Sequence, residues 1–286
     1  MRRKHYFVWM LTTALTAASV MPMTVYAQPA FASGGEVKVV EGDVNGELQG
    51  GVMSPGAMAI EGSDLKVNGN VSGGLVSDGS TVTVNGNVTG NGIDTVIAKK
   101  GTVTVNGTVT ATDLSEKTGV LASNGSNLTV GDTEVGGKES TGVIAESGSK
   151  ATAGNVKVSG EYMTGTSAYG DSTVHVKGNV TADGNGMTGV SVHDGDKSSL
   201  IVDGDVTATG ENSVGIYGET GTIKIGGDVS GREAVITKGK ADVTVGGSVS
   251  GTLVGIVAGG NAAVSVKGDA GTKTGAGMFA QENATV

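Results

Sequence analysis

Valine alternates with threonine in short stretches that return along most of this chain. The stretch TVTV places Val82 and Val84 on one face of a predicted β-strand. An Asn-Gly pair follows, and these residues tolerate the positive φ angles of a tight turn. A second strand is predicted to begin at Asn87 and a third at Thr95, and Gly101 then restarts the cycle. Each unit is therefore predicted to contain three short strands joined by glycine-rich corners.

The unit recurs about eleven times, at intervals of roughly 17 to 27 residues. First strands are predicted to start near Gly35, Gly62, Gly79, Gly101, Gly125, Gly148, Ser172, Ser198, Gly221, Ala241 and Ala262. A β-hairpin explains one duplication but not eleven, and a propeller blade needs a period near ~40 residues with aromatic signatures. Coiling explains the pattern, because each strand can pair in parallel with its equivalent one turn away. We predict an all-β, right-handed parallel β-helix (β-solenoid), with the side chains of Val82, Val84, Val103, Val105, Val243 and Val245 inside.

The N-terminus has the features of an export signal. Arg2, Arg3 and Lys4 precede an apolar stretch over residues 6–20, and small residues favour cleavage after Ala27. The alternative, a single transmembrane anchor, is disfavoured because the apolar run falls short of the ~20 residues needed. We predict a signal peptide at 1–27, a short linker at 28–34 and solenoid coils at 35–286, in a secreted or cell-surface protein.

The V-x-V-x-G-x-V phrase, the variable segment after each second strand and the export signal together resemble one type of protein. They are similar to the right-handed parallel β-helix of bacterial surface proteins, such as autotransporter-like passenger domains. The resemblance covers about residues 35–286 and concerns architecture and composition. It implies an adhesin-like, bacterial, extracellular role.

Composition narrows the possible functions further. The chain has 286 residues, 52 of them glycine, no cysteine and only 3% aromatic residues. Without residues 1–27 it keeps 16 basic against 28 acidic residues, a net charge of −12. Such a surface does not provide the basic patches that neutralise nucleic-acid phosphates. With no disulfide available, an exported chain of this kind must be stabilised by its packing and hydrogen bonds.

An enzyme is the main alternative, because right-handed β-helices also host polysaccharide lyases and hydrolases. The candidate catalytic cluster comprises His193, Asp194, Asp196, Asp203 and Asp205. Aspartate is common in solvated turns, which is the simpler interpretation of these residues. Sugar sites also favour aromatic platforms, and beyond Tyr162, Tyr169 and Tyr217 the body of the chain offers almost none, which disfavours an enzyme. We predict no catalytic residue, no cofactor and no metal site. A calcium site is disfavoured because the aspartate of the Gly-Asp-Val corners alternates with Asn, Ser and Thr, whereas a calcium-binding repeat needs aspartate at a fixed place.

A second alternative is an ice- or mineral-binding solenoid. Thr81, Thr83, Thr102 and Thr104 would form outward pairs on neighbouring coils. At equivalent positions of later coils the array is interrupted by residues such as His175 and Lys224, which a lattice-matched surface would not tolerate. The interpretation as solvated strand faces is therefore preferred.

The function predicted from sequence is a non-enzymatic extracellular rod, adhesin-like or spacing another domain from the cell surface. Its partners would be host or environmental glycans or proteins, with no nucleic acid and no direct membrane span in the mature chain. The variable segments 91–94, 113–117, 138–140 and 183–186 are the predicted contact regions. Residues 284–286 begin another unit without a polar cap, so we expect the chain to be truncated, with further repeats or an anchor downstream.

Overall fold

The computed structural model describes residues 28–46, 48–49, 52–53 and 55–286; the predicted signal peptide lies outside these residues. The described residues form a parallel β-solenoid of eleven coils, as predicted, and they contain no helix. Each of the eleven coils contributes one strand to each of three parallel stacks, and residues Ala30–Ala32 add one more strand to the third stack before the first coil. The right-handed winding stays a prediction from sequence.

The first stack is an eleven-stranded parallel sheet. It consists of β2 (Val37–Val40), β7 (Asp64–Val67), β10 (Thr81–Val84), β13 (Thr102–Val105), β16 (Asn127–Val130), β19 (Lys150–Ala153), β22 (Thr173–Val176), β25 (Ser199–Val202), β28 (Thr222–Ile225), β30 (Asp242–Val245) and β32 (Ala263–Val266).

The second stack follows the first corner of each coil. It consists of β3 (Val44–Asn45), β8 (Val71–Ser72), β11 (Val88–Asn91), β14 (Val109–Ser115), β17 (Thr133–Lys138), β20 (Val156–Glu161), β23 (Val180–Asn185), β26 (Val206–Thr209), the first halves of β29 (Val229–Thr237) and β31 (Val249–Ala258), and β33 (Ala270–Thr272).

The third stack has twelve rungs, numbered here from the N-terminus. They are β1 (Ala30–Ala32), β6 (Ala57–Ile60), β9 (Leu75–Asp78), β12 (Val96–Lys99), β15 (Thr118–Ser123), β18 (Thr141–Ala145), β21 (Thr164–Ala168), β24 (Thr188–Val192), β27 (Val214–Gly218), the second halves of β29 and β31, and β34 (Ala276–Ala280). Two short strands outside the stacks, β4 (Leu48–Gln49) and β5 (Val52–Met53), form an antiparallel pair in the first coil.

Strand pairing confirms the period predicted from sequence. Val82 pairs with Leu65, 17 residues earlier, and Lys38 pairs with Leu65 from 27 residues away. The first strands begin one or two residues after the predicted starts. Pairing also begins earlier than residue 35, because Ala30–Ala32, inside the segment predicted as a linker, pairs with β6.

The solenoid interior is filled by small and β-branched side chains. The six valines predicted to point inward are at most 1% exposed. Along the first stack, Leu65, Val82, Val103, Leu128 and their equivalents form one continuous inward column. Because this core is one side chain thick, valine and alanine fill it without aromatic bulk. In the first coil apolar residues occupy the outward positions, and Val37 and Val39 are therefore 75% and 55% exposed.

The Gly-Asn/Asp corners between the first and second strands form a hydrogen-bonded ladder. The Oδ1 atom of Asn179 accepts from the backbone N–H of Asp205 at 2.8 Å, and the Oδ1 of Asp205 accepts from that of Asp228 at 2.8 Å. Asn155 and Asp132 repeat this contact at 2.7 Å. Since the ladder needs only an oxygen acceptor at this position, it explains why Asp, Asn and Ser alternate there.

Candidate interaction surface

One outward face of the solenoid carries a mostly apolar column, which is interrupted near its middle by two serines. In the third stack the inward residues alternate with a middle residue that points outward, as in β9, where Leu75 and Ser77 are buried and Val76 between them is half-buried. Strand register aligns these middle residues in one line. This outer apolar column consists of Phe31, Met58, Val76, Ile97, Leu121, Ile144, Ser167, Ser191, Tyr217, Ile236, Val257 and Phe279. Ten of its twelve residues are apolar or aromatic.

The other two faces are polar at the corresponding positions. The second stack presents Ser72, Thr89, Thr110, Glu134, Lys157, Thr181, Thr207, Ser230 and Ser250 outward. The first stack presents mainly Thr, Lys, Asp and Asn, and its threonine array is interrupted as the sequence indicated, by His175 and Lys224. The apolar face is therefore a local property of the third stack, since the coil's other outward positions follow the usual rule of polar residues outside.

A line of charged and polar residues lies beside the outer apolar column, two positions later in each rung. We name it the flanking column, and its ionisable members include Asp78, Lys99, Glu146, Tyr169, His193, Glu219 and Lys238. Acidic and basic residues alternate at both ends of this line. Asp78 and Lys99 occupy the third and fourth rungs, and Glu219 and Lys238 occupy the ninth and tenth.

The most connected polar cluster on this face combines the two columns. The Tyr217 hydroxyl donates to Glu219 Oε1 at 2.7 Å, which raises the pKa of Tyr217 and lowers that of Glu219. His193 Nδ1 lies 3.5 Å from Glu219 Oε2, its ring is 5.3 Å from the Tyr217 ring, and Lys238 Nζ lies 5.4 Å from the same ring. These contacts hold the Tyr217 ring against the face, so the ring extends the apolar surface.

The candidate catalytic residues do not converge. His193 contacts Glu219 rather than Asp194, which is exposed at the following corner. Asp203 pairs with His175 Nε2 at 3.0 Å on the first stack, and Asp205 belongs to the corner ladder. Tyr162 is 53% exposed, apart from the cluster around Tyr217. No group of three or more His, Asp or Glu side chains in the described part of the chain is arranged to hold a metal ion, and no helix there is long and apolar enough to cross a membrane.

The segments predicted as variable contact regions differ in their regularity. Residues 138–140 and 183–186 belong to a regular connection, in which Gly137, Gly160 and Gly184 stack on one another in register. Residues 91–94 and 113–117 are irregular, and they border an open cavity of about 230 Å³ lined in part by Val76 and Ile97. The irregular segments therefore lie beside the apolar face, near its N-terminal end.

Sequence reasoning missed the outer apolar column. It predicted a third strand in each unit, as at Thr95, but did not place any of its apolar residues outside the coil. The available signal was three consecutive apolar residues, where the first strands alternate strictly. A strand of that kind has apolar residues on both of its faces. The solenoid core covers the inward face, and the outward face is covered only if something packs outside the coil.

Fold and surface together define a parallel β-solenoid with two polar faces and one apolar face. Comparison of the chain with protein-family models, curated proteins and solved structures finds no match. The functional argument therefore depends on the chain's own residues.

Proposed function

We propose that this protein is a non-enzymatic, exported rod that acts outside the cell as an adhesin-like or spacer element. The observation that supports the proposal most directly is the continuous register of all three stacks. Backbone hydrogen bonds run from coil to coil, and a side-chain ladder reinforces one corner. A stack of eleven coils at ~4.8 Å per strand is about 50 Å long. Such a rod can hold a partner or a further domain away from a surface, because adjacent coils have little freedom to move apart.

The predicted signal peptide supports an extracellular location. Mature residues 28–286 would carry a net charge of −12, which keeps an exported rod soluble. The polar first and second faces offer solvated threonine, lysine and aspartate side chains for contacts with glycans or proteins. The predicted contact regions at 91–94 and 113–117 are irregular connections of the type that commonly carries binding residues.

Rigidity is tested with spin labels, since the chain has no cysteine of its own. Thr81 and Asp242 are exposed and share one outward column of the first sheet, seven coils apart. Cysteines at both positions should give a narrow distance distribution centred near ~34 Å, from seven strand spacings. A pair on adjacent coils, Thr81 and Thr102, is the matched control and should give a short, equally narrow distance. A broad distribution for the distant pair alone would contradict the rod.

Location and chemistry are tested separately. In cells producing the full chain, the Thr81→Cys variant should react with a membrane-impermeant maleimide before lysis, and the unmodified chain should not. Labelling only after lysis would contradict the extracellular role. The purified protein should release no products from acidic polysaccharides. Reproducible cleavage that is abolished by His193→Ala or Asp194→Ala would instead establish the polysaccharide-degrading alternative.

A further inference from the structure

We propose that the apolar face is a self-association surface, and that two copies of the chain pack on it antiparallel as a symmetric dimer. The inference goes beyond the rod function and concerns the third face, whereas the first and second faces are offered to extracellular partners; the contact regions 91–94 and 113–117 border the third face near its N-terminal end. It rests on three properties of the third stack: its apolar extent, its size, and the order of charges along the flanking column.

The extent of the apolar column calls for a covering partner. Twelve rungs at ~4.8 Å make the column about 53 Å long. Its exposed surface lies in two segments, from Phe31 at 46% exposure to half-buried Leu121 and from half-buried Tyr217 to Phe279 at 49%, while Ile144, Ser167 and Ser191 between them are at most 9% exposed. The antiparallel arrangement places each segment opposite the other, and grouped exposed apolar residues of this kind on a soluble protein mark an interaction site, whereas scattered ones do not.

The size of the face is sufficient for a specific dimer. The outer apolar column and one residue on either side make a strip about 12 Å wide, or roughly 600 Å² per copy. Two copies would bury about 1,200 Å² in total, which is at the lower end of the range for specific protein interfaces. Flat sheet faces also pack well on each other, with strand directions aligned to within about 30°.

The charges select the partner and its orientation. Consider two copies that face each other across a two-fold axis parallel to the strands, midway between Ile144 and Ser167. The stacking order of the second copy is then reversed, and each flanking column faces its own equivalent. Asp78 on the third rung lies opposite Lys238 on the tenth rung of the second copy, and Lys99 on the fourth rung lies opposite Glu219 on the ninth.

Other registers lose this complementarity. A shift of one rung in one direction places Asp78 opposite Glu219, and a shift in the other direction places Lys99 opposite Lys238. A parallel dimer, with the axis along the rod, places the two flanking columns on opposite sides of the interface and pairs none of these charges. Because like charges facing each other disfavour the wrong registers, the sequence of the flanking column specifies one arrangement. In a two-fold dimer each complementary pair also occurs twice.

Charge exchange tests the orientation on exposed residues, so the fold is left intact. Sedimentation equilibrium should show the chain to be dimeric. Asp78→Lys and Lys238→Asp should each weaken the dimer, because each creates two like-charge contacts, by about 10-fold in dissociation constant. The combined variant restores opposite charges and should recover the dimer. A monomeric chain at all accessible concentrations, or a combined variant weaker than both single variants, would overturn the proposal.

A second pair of variants tests the face itself. Leu121→Asp places a carboxylate in the outer apolar column and should abolish the dimer. We expect affinity to fall by about 100-fold or more, because the dimer would bury an unpaired charge. The matched control is Thr104→Asp on the first stack, which should leave the dimer unchanged. If the control dissociates the dimer as strongly as Leu121→Asp, the apolar face is not the interface.

Crosslinking fixes the register independently of affinity. A chain with Val76→Cys mixed with a chain with Ile236→Cys should give a covalent heterodimer with a short bis-maleimide, since the third and tenth rungs face each other. Neither variant alone should crosslink efficiently. Efficient crosslinking of Val76→Cys with itself would show the parallel arrangement and refute the antiparallel one.

Discussion

Close packing at the entrance to the third strands favours glycine on most rungs, although Thr95 and Ala234 occupy this position on the fourth and tenth rungs. Gly189 offers the sharpest test. A Cβ atom added to Gly189 would lie 2.5 Å from the carbonyl oxygen of Gly215 on the next rung and 2.6 Å from Val206 Cγ1. Its φ angle is not positive, so the constraint is space and not backbone conformation. The same contact recurs at Gly142 and Gly165, each within 2.5 Å of the next rung's carbonyl.

The expected cost of Gly189→Ala follows from two opposing effects. Forcing a methyl group against a backbone carbonyl costs about 1–3 kcal/mol, because the rungs must move apart. Replacing glycine by alanine also lowers the conformational entropy of the unfolded chain, which stabilises the folded state by about 0.4–1 kcal/mol. The net destabilisation should therefore be about 1–2 kcal/mol, which corresponds to a 5- to 30-fold change in the opening equilibrium.

Hydrogen exchange is the appropriate assay, since stacked repeats can open locally and one global unfolding free energy is then poorly defined. Protection of the amides in β24 and β27 should fall by that factor, while β9 and β12 remain unchanged. The matched control is Gly277→Ala, at the same position of the twelfth rung, where no atom lies within 4 Å of the added Cβ. Equal losses for the two variants, or an equal loss in all rungs, would refute the reasoning.

Two further predictions concern single side chains. The Thr166 hydroxyl is buried without a hydrogen-bond partner, so Thr166→Val should stabilise the seventh rung by about 1 kcal/mol in hydrogen exchange. Thr95→Val should not stabilise its rung, because the Thr95 hydroxyl donates to a backbone carbonyl. Burial, together with the charge of Glu146, raises the pKa of Tyr169 to about 12. Because the folded state holds this proton more tightly, its contribution to stability is complete below pH 10 and lost as the pH rises through 12. Phenolate absorbance should show one tyrosine that ionises late, and Glu146→Gln should lower its pKa; an unchanged titration would contradict this assignment.

The solenoid and its inward columns could be predicted from sequence because they depend on local patterns. Alternation in TVTV determines which side Val82 and Val84 face, and the recurrence of that phrase determines the stacking. The corner ladder could not be predicted, because the partner of Asn179 is Asp205, one coil away, and the contact depends on register. The outer apolar column was hidden for a related reason: in a short run of apolar residues, nothing local distinguishes the inward Val120 from the outward Leu121.

The order of charges along the flanking column was even harder to predict from the local sequence. Asp78 and Lys99 are 21 residues apart in sequence and one rung apart in space. Coils of unequal length change the sequence spacing of rung neighbours from one coil to the next, so the alternation of charges emerges only after the strands are aligned. The irregular connections, such as residues 112–117, absorb the differences in length and leave the columns straight.

The distribution of charge around the rod explains how an acidic protein could associate with itself. Residues 28–286 carry 12 more acidic than basic residues, so two copies repel each other at long range. The apolar face differs from this average, because Lys99 and Lys238 nearly balance Asp78, Glu146 and Glu219 within its flanking column. Much of the acidic excess lies at the corners between first and second strands, as at Asp132, Asp205, Asp228 and Asp269, and stays in solvent when the apolar face is packed. Raising the salt concentration should therefore have two opposing effects, screening both the repulsion between rods and the paired charges at the interface. The Asp78→Lys variant should respond differently from the unmodified chain: salt should favour its dimer more, since the substitution turns the two contacts with Lys238 into like-charge contacts while the Lys99–Glu219 contacts stay opposite. A dimer affinity with the same salt dependence in both proteins would show that these charges lie outside the contact.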